Sequence, residues 1–225
     1  MSVLRVYGQW IVVTVMVAVM LFASAGRVDL PMFWGYLAAH SGAQLAMAWL
    51  VFRQNRELLE ERQKPGENAK AWDRPLLRIY TLFTFLLFVV AGLDVGRFHW
   101  SNTVPLWGQI AALVGFVLSF AFNIWAMAVN DFYSRVVRIQ QDRDQVVVTK
   151  GPYRFVRHPS YIGVIFSWAC AALALGSWLA LVPVIPIAVT FTIRTALEDK
   201  ALQEELPGYK EYAQQTRYRL LPGVW

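Results

Sequence analysis

Apolar runs long enough to cross a bilayer recur along this chain, at about 9–25, 33–52, 76–95, 106–128 and 161–194. A bilayer core takes roughly 20 apolar residues in a helix, and the last run has room for two helices turning at Gly176-Ser177. Inside lipid a backbone N–H or C=O finds no water, so each run must satisfy its own backbone groups as a helix. The chain is therefore expected to fold as an all-α, polytopic membrane helix bundle of five to six transmembrane segments. A composition of 57% hydrophobic and 16% charged residues excludes a soluble domain of this size. No internal repeat or low-complexity segment divides the sequence, and residues 1–225 are read as one integral membrane domain. Within it, 1–129 holds four transmembrane helices and 130–225 a helical hairpin followed by a polar tail.

A net charge of +6 raises the question of nucleic acid, and the placement of the charge answers it. Of the 21 lysines and arginines, 19 lie in the N-terminus, at 53–78, at 131–157 or from Arg194 onward. Only Arg27 and Arg97 fall in the alternate loops. This is the positive-inside pattern. It predicts both termini and both long loops in the cytoplasm, with basic groups meeting anionic headgroups and no nucleic-acid partner.

The single cysteine, Cys170, sits in an apolar run, which excludes a disulfide framework and a paired-cysteine metal site and suits an inert buried thiol. Arg5, an apolar run and Ala23-Ser24-Ala25 share the layout of a secretory signal; the segment is read here as a retained first membrane helix. Residues 53–75 form the long hydrophilic connection, where Glu57, Glu60 and Glu61 mix with Arg56, Arg62 and Lys64. A solvated helical extension with internal ion pairs suits it, a partner-docking surface being the alternative. After residue 128 the fourth helix is expected to leave the membrane as an amphipathic stretch. A short extended segment, Gln145-Val146-Val147-Val148, would follow and stop at Gly151-Pro152. Pro183 and Pro186 lack backbone donors and are expected to kink or break the last membrane helix.

No Gly-x-Gly, His-Glu-x-x-His or phosphate-loop pattern occurs, so dinucleotide-turn, zinc-protease and nucleotide-triphosphatase chemistries have no footing. Any reaction must rest on polar residues bordering the apolar runs. The densest such group is Gly151-Pro-Tyr-Arg-Phe-Val-Arg-His-Pro-Ser-Tyr-Ile-Gly163. Pro159 biases His158 away from helical geometry, so a loop is expected there, with Tyr161 opening the next helix. Costly polar groups at a membrane boundary mark function.

Arg157-His158-Pro159-Ser160-Tyr161-Ile162-Gly163, Arg194 with Glu198, and the ending Gly208-Tyr209, Tyr212 and Arg219-Leu220-Leu221-Pro222-Gly223 resemble the signature of a family of integral membrane methyltransferases. These are the isoprenylcysteine carboxyl methyltransferases with their phospholipid N-methyltransferase relatives. The resemblance covers roughly the last hundred residues. It implies S-adenosylmethionine as cofactor. Gln145, Val146, Val147, Val148, Tyr153, His158, Pro159, Ser160, Tyr161 and Glu198 would contact it, and Arg194 would face the methyl acceptor. Glu198-Asp199 stands where the family often has two glutamates; the carboxylate is kept.

The chemistry of the residues agrees. A sulfonium cation asks for a nearby anion and aromatic faces, and Tyr153, His158, Tyr161 and Glu198 offer both. Backbone groups of 145–148 can pair with an adenine edge while the valines pack its ring. Each residue also has a structural reading. Arg194 and Glu198, four apart, would make an ordinary helical ion pair. Arg154 and Arg157 would anchor headgroups, Tyr153 and Tyr161 would be interfacial aromatics, and His158 would cap a turn. Their joint spacing favours a cofactor site. His40, Ser41, Gln44 and Asn123 suit bonds between helices, and Asn130, near a helix end, is a candidate for the acceptor pocket. Asp29, Asp94 and His99 fall on the far side and receive no chemistry.

The expected activity is methyl transfer at the membrane to a hydrophobic or lipid-like acceptor through a carboxylate, amine or thiol, with Arg194 and Glu198 as catalytic residues. No metal is expected. An NADPH-dependent oxidoreductase similar to membrane sterol reductases, and a non-catalytic scaffold, are the alternatives.

Overall fold

The computed structural model describes residues 3–54 and 68–225, with side chains described for 7–50 and from 68 onward. The charged connection at 55–67, with its expected helix, lies outside the described residues. Seven α-helices are present among them: α1 (Val3–Ala25), α2 (Pro31–Gln54), α3 (Asp73–Gly92), α4 (Leu106–Ala128), α5 (Pro159–Ala174), α6 (Val184–Glu205) and α7 (Tyr209–Gln215). No strand occurs among the described residues. The all-helical expectation holds.

Four helical segments, Tyr7–Ala25, Asp73–Phe98, Leu106–Ala128 and Leu179–Glu205, are long and apolar enough to cross a membrane. α2 has the length, 24 residues, but His40, Ser41 and Gln44 interrupt it. At 16 residues and about 1.5 Å of rise each, α5 is shorter than the roughly 30 Å hydrocarbon core. The count shown is therefore four, against five to six expected. The long final run does turn back, at Gly176 (φ +88°), so it is a hairpin.

Packing between the spans is close where the chain is small. A methyl group on Gly92 would fall 1.9 Å from Ser24 Oγ, and one on Gly96 would fall 2.5 Å from the Ala25 Cα, so α1 and the end of α3 meet backbone to backbone. Beyond Gly92, α3 widens into a π-helical turn, Leu93–Phe98. It is closed by His99 (φ +49°), whose N–H reaches Asp94 O at 2.7 Å. Leu21, Phe33, Tyr36, Leu87, Phe88, Phe116 and Leu175 form the main core between α1–α5. A second core, of Tyr161, Ile187, Phe191 and Leu220, joins α5 and α6 to the C-terminal tail.

Two local expectations are corrected. Pro183 is the N-cap of α6 and Pro186 lies in its first turn, where a missing N–H costs no helical bond, so the prolines start the helix instead of kinking it. And α4 ends at Ala128, without an amphipathic continuation. The chain from 130 to 149 proceeds through turns and one 3-10 turn, Gln141–Arg143, and folds over the ends of α3 and α6. Lys70 N–H donates to Val137 O (2.9 Å), and Val137 N–H to Asp73 Oδ2 (2.8 Å). A loop so tied forms a roof over the ends of the bundle.

Candidate active site

Under that roof lies a cavity bounded by the 130–148 loop, the start of α5, the last turns of α6 and α7. Eleven of the twelve residues singled out from sequence line it: Asn130, Gln145, Val146, Val147, Val148, Tyr153, His158, Ser160, Tyr161, Arg194 and Glu198. Pro159 does not. It is the first residue of α5, where fixed φ suits a helix start; its work is to aim His158 and Tyr161.

The two rings stack 5.8 Å apart at 8°, so His158 does more than cap a turn. The neighbouring Arg157 is buried and anchors no headgroup. Its Nε and Nη2 reach both oxygens of Asp199 at 2.7 and 3.0 Å, and Nη1 donates to the carbonyls of Thr216 and Arg217, each at 2.9 Å. Asp199, fully buried, also accepts from Arg219 (2.9 Å), Gln203 (2.8 Å) and Tyr209 Oη (3.2 Å), and stands 3.4 Å from His158 Nε2. The backbone N–H groups of Arg157 and His158 donate to Tyr218 O and Arg219 O, both at 2.9 Å. Asp199 is thus the node that fastens the C-terminal tail to the motif. Sequence reasoning treated it as a minor departure.

Arg194 and Glu198 share one face of α6 without pairing with each other. Arg194 instead grips Asp73, at the start of α3, through Nε (2.7 Å) and Nη2 (3.2 Å), and Nη2 also donates to Arg135 O (2.9 Å). Its guanidinium lies 5.3 Å from the Tyr161 ring centre. Glu198 accepts a short hydrogen bond from Tyr161 Oη and meets no cation within ion-pair distance among the described residues. The buried Arg138, Arg157 and Arg194 are therefore matched, by Asp142, Asp199 and Asp73, while the carboxylate facing the cavity has only a phenol.

Aromatic groups complete the walls. Tyr153 Oη accepts from Asn130 Nδ2 (3.0 Å), and Tyr212 Oη donates to Tyr153 O (2.6 Å). Burial pushes Tyr212 up to about 12 and Tyr153 and Tyr209 well above the ordinary phenol value, so these hydroxyls are neutral at physiological pH. On the opposite side, Gln145 Oε1 accepts from Gln140 N–H (2.7 Å), and Val147 packs on Leu206, Tyr209 and Tyr212. The 145–148 segment is irregular backbone; Gln145 N–H donates to Gln140 O (3.3 Å), while the peptide groups of 146–148 make no hydrogen bond among the described residues and are available to a ligand.

The last residue of the motif has a packing reason. A methyl group on Gly163 would fall 2.3 Å from Asn123 Oδ1, so only glycine lets α5 lie this close to α4. Asp73, Asp199, Tyr209, Tyr212 and Arg219 were missed as site residues. The available signal was the rule that buried arginines need carboxylates, but partners 42 and 121 positions away are not read off a sequence.

No curated protein matches this chain. Residues 110–204, the segment that holds α4, the motif, Arg194 and Glu198, match the model of the isoprenylcysteine carboxyl methyltransferase (ICMT) family, a family of methyltransferases.

Proposed function

We propose that this protein is an S-adenosylmethionine-dependent methyltransferase acting at the membrane on a hydrophobic or lipid-like acceptor. The observation that carries the reading is Glu198, a carboxylate without a cation in a cavity walled by Tyr153, Tyr161, Tyr209 and Tyr212. Such a site attracts an organic cation by charge and by ring faces together. When bound, S-adenosylmethionine supplies an electrophilic methyl group carried on a sulfonium. Glu198, Tyr153 and Tyr161 would hold its positive end, and the free peptide groups of 146–148, with Gln145 beside them, its adenine.

The chain's own contribution is positioning and exclusion of water. Arg194 is fixed by Asp73 and Arg135 O through Nε and Nη2, which leaves Nη1 to orient an acceptor carboxylate. For an amine or thiol acceptor, Glu198 or His158 would take the proton. The basic-residue distribution supports a cytoplasmic site and cytoplasmic termini. A nicotinamide dinucleotide would bring phosphates toward the Glu198 carboxylate, which repels them. That favours methyl transfer over the reductase reading.

Equilibrium binding to the purified protein tests the proposal. S-adenosylmethionine and S-adenosylhomocysteine should raise the melting temperature by linkage, and NADPH should not. A shift with NADPH and none with millimolar S-adenosylmethionine would overturn it.

A further inference from the structure

Beyond the cavity, one cation of the roof has no partner among the described residues. Arg138 is paired with Asp142 (2.7 Å), and Arg143 donates to Asp131 O (3.0 Å) and Gln140 Oε1 (2.7 Å). The Arg135 side chain makes no hydrogen bond or ion pair among the described residues. It lines a groove on the outside of the bundle with Gly8, Gln9, Val12 and Val13 of α1. The residues flanking it in sequence, Ser134 and Val136, line the cavity instead. The roof strand thus has two sides, with Arg135 on the outer one.

What lies next to that guanidinium decides its ligand. Gly8 and Gln9 lie in the first two turns of α1 (Val3–Ala25), at the end of that helix nearest the roof. Below them, Val12, Val15 and Val19 are 65%, 54% and 57% exposed. Spaced three and four apart, they form one stripe down α1, about 10 Å long at 1.5 Å per residue. A cation at the head of an exposed apolar stripe complements a molecule with an anionic head and a hydrocarbon tail. Arg135 is exposed, so its guanidinium is open to a ligand from outside the bundle.

We propose that this groove binds an anionic phospholipid, its phosphate on Arg135 and Gln9 and one acyl chain along Val12, Val15 and Val19. Because Arg194 Nη2 donates to Arg135 O and Ser134 and Val136 line the cavity, the bound lipid steadies the roof of the site. The proposal stands whether or not the chain transfers methyl groups, since its readout is binding.

The test titrates purified protein with dioleoylphosphatidylglycerol or dioleoylphosphatidylcholine while melting temperature is followed. The anionic lipid should stabilise the wild type at concentrations where the zwitterionic lipid does not. Arg135→Gln should need about tenfold more anionic lipid for the same effect, a conservative figure for losing a charged hydrogen bond, and Arg135→Lys should retain most of the response. Gln9→Glu supplies a counter-ion inside the groove, so it should abolish the lipid response while the lipid-free protein melts no lower than wild type. Lys210→Gln, an exposed cation on α7, should change nothing. A wild-type response in both Arg135→Gln and Gln9→Glu, or an equal loss in Lys210→Gln, overturns the proposal.

Discussion

Glu198 and Asp199 are adjacent carboxylates with opposite duties, and the difference is one of partners. Asp199 is enclosed by Arg157, Arg219, Tyr209 and Gln203, whereas Glu198 turns to the cavity with one phenol. Glu198→Gln should leave the melting temperature near wild type and weaken S-adenosylmethionine binding by about 1.5–3 kcal/mol, measured by isothermal titration. Asp199→Asn should do the reverse in kind: two arginines lose their counter-ion, and breaking a buried pair costs about 3–5 kcal/mol of stability, visible as lost thermal stability before any ligand is added. Equal effects of the two changes on both measurements would contradict this division. Tyr212 adds a pH signature. Its folded value is raised to about 12, above the usual 10 of an unfolded phenol, so the stability it lends is whole below pH 10. That stability is lost as pH rises through about 12. Phenolate absorbance during alkaline titration should show a late class of tyrosines that disappears in denaturant, and full titration near pH 10 in native protein would refute the burial described.

At the scale of elements, the α4–α5 contact is set by Gly163 against Asn123. Gly163→Ala should destabilise by about 1–3 kcal/mol through overpacking. Asn123→Ala, which removes an oxygen without a partner, should recover part of that cost in the double variant; strict additivity in a double-mutant cycle would show that the two side chains do not meet. Much of this level was legible in the sequence. Helix limits followed from apolar runs, the hairpin from Gly176-Ser177, and about half of the cavity lining from Asn130 and the signature residues of 145–161, 194 and 198. The misreadings share a cause. The prolines of α6, the end of α4 and the two buried aspartates take their roles from the rest of the fold: Pro183 and Pro186 from where the hairpin turns at Gly176, Asp73 and Asp199 from arginines distant in the chain. Periodicity reports which face of a helix is apolar. It does not report which helix arrives there.

For the whole molecule, the two ends of the bundle differ in kind. One carries the cavity and most of the basic residues. The other carries the π-turn, where Asp94 accepts from Ser101 N–H (2.8 Å), Ser101 Oγ (2.5 Å) and Ser177 Oγ (2.5 Å), together with Trp100, Trp107 and Trp178, which are 54%, 75% and 47% exposed, as suits an interfacial belt. In a Cys170→Ala background, a cysteine at Asp144 should react with impermeant reagent only after cells are opened, and one at Asn102 from the outside or lumen. The opposite labelling would invert the proposed orientation. The Asp199 node sets a timetable for biosynthesis. Its ligands include Arg157 from the start of α5 and Arg219 from beyond α7, so the first four helices can be inserted and packed while the site does not yet exist. Until residue 219 has left the ribosome and folded back, Asp199 has Arg157 but lacks its second counter-charge, and the tail wall of the cavity is open. A nascent chain of this protein would therefore lack the tail wall of its cavity until residue 219 had been made.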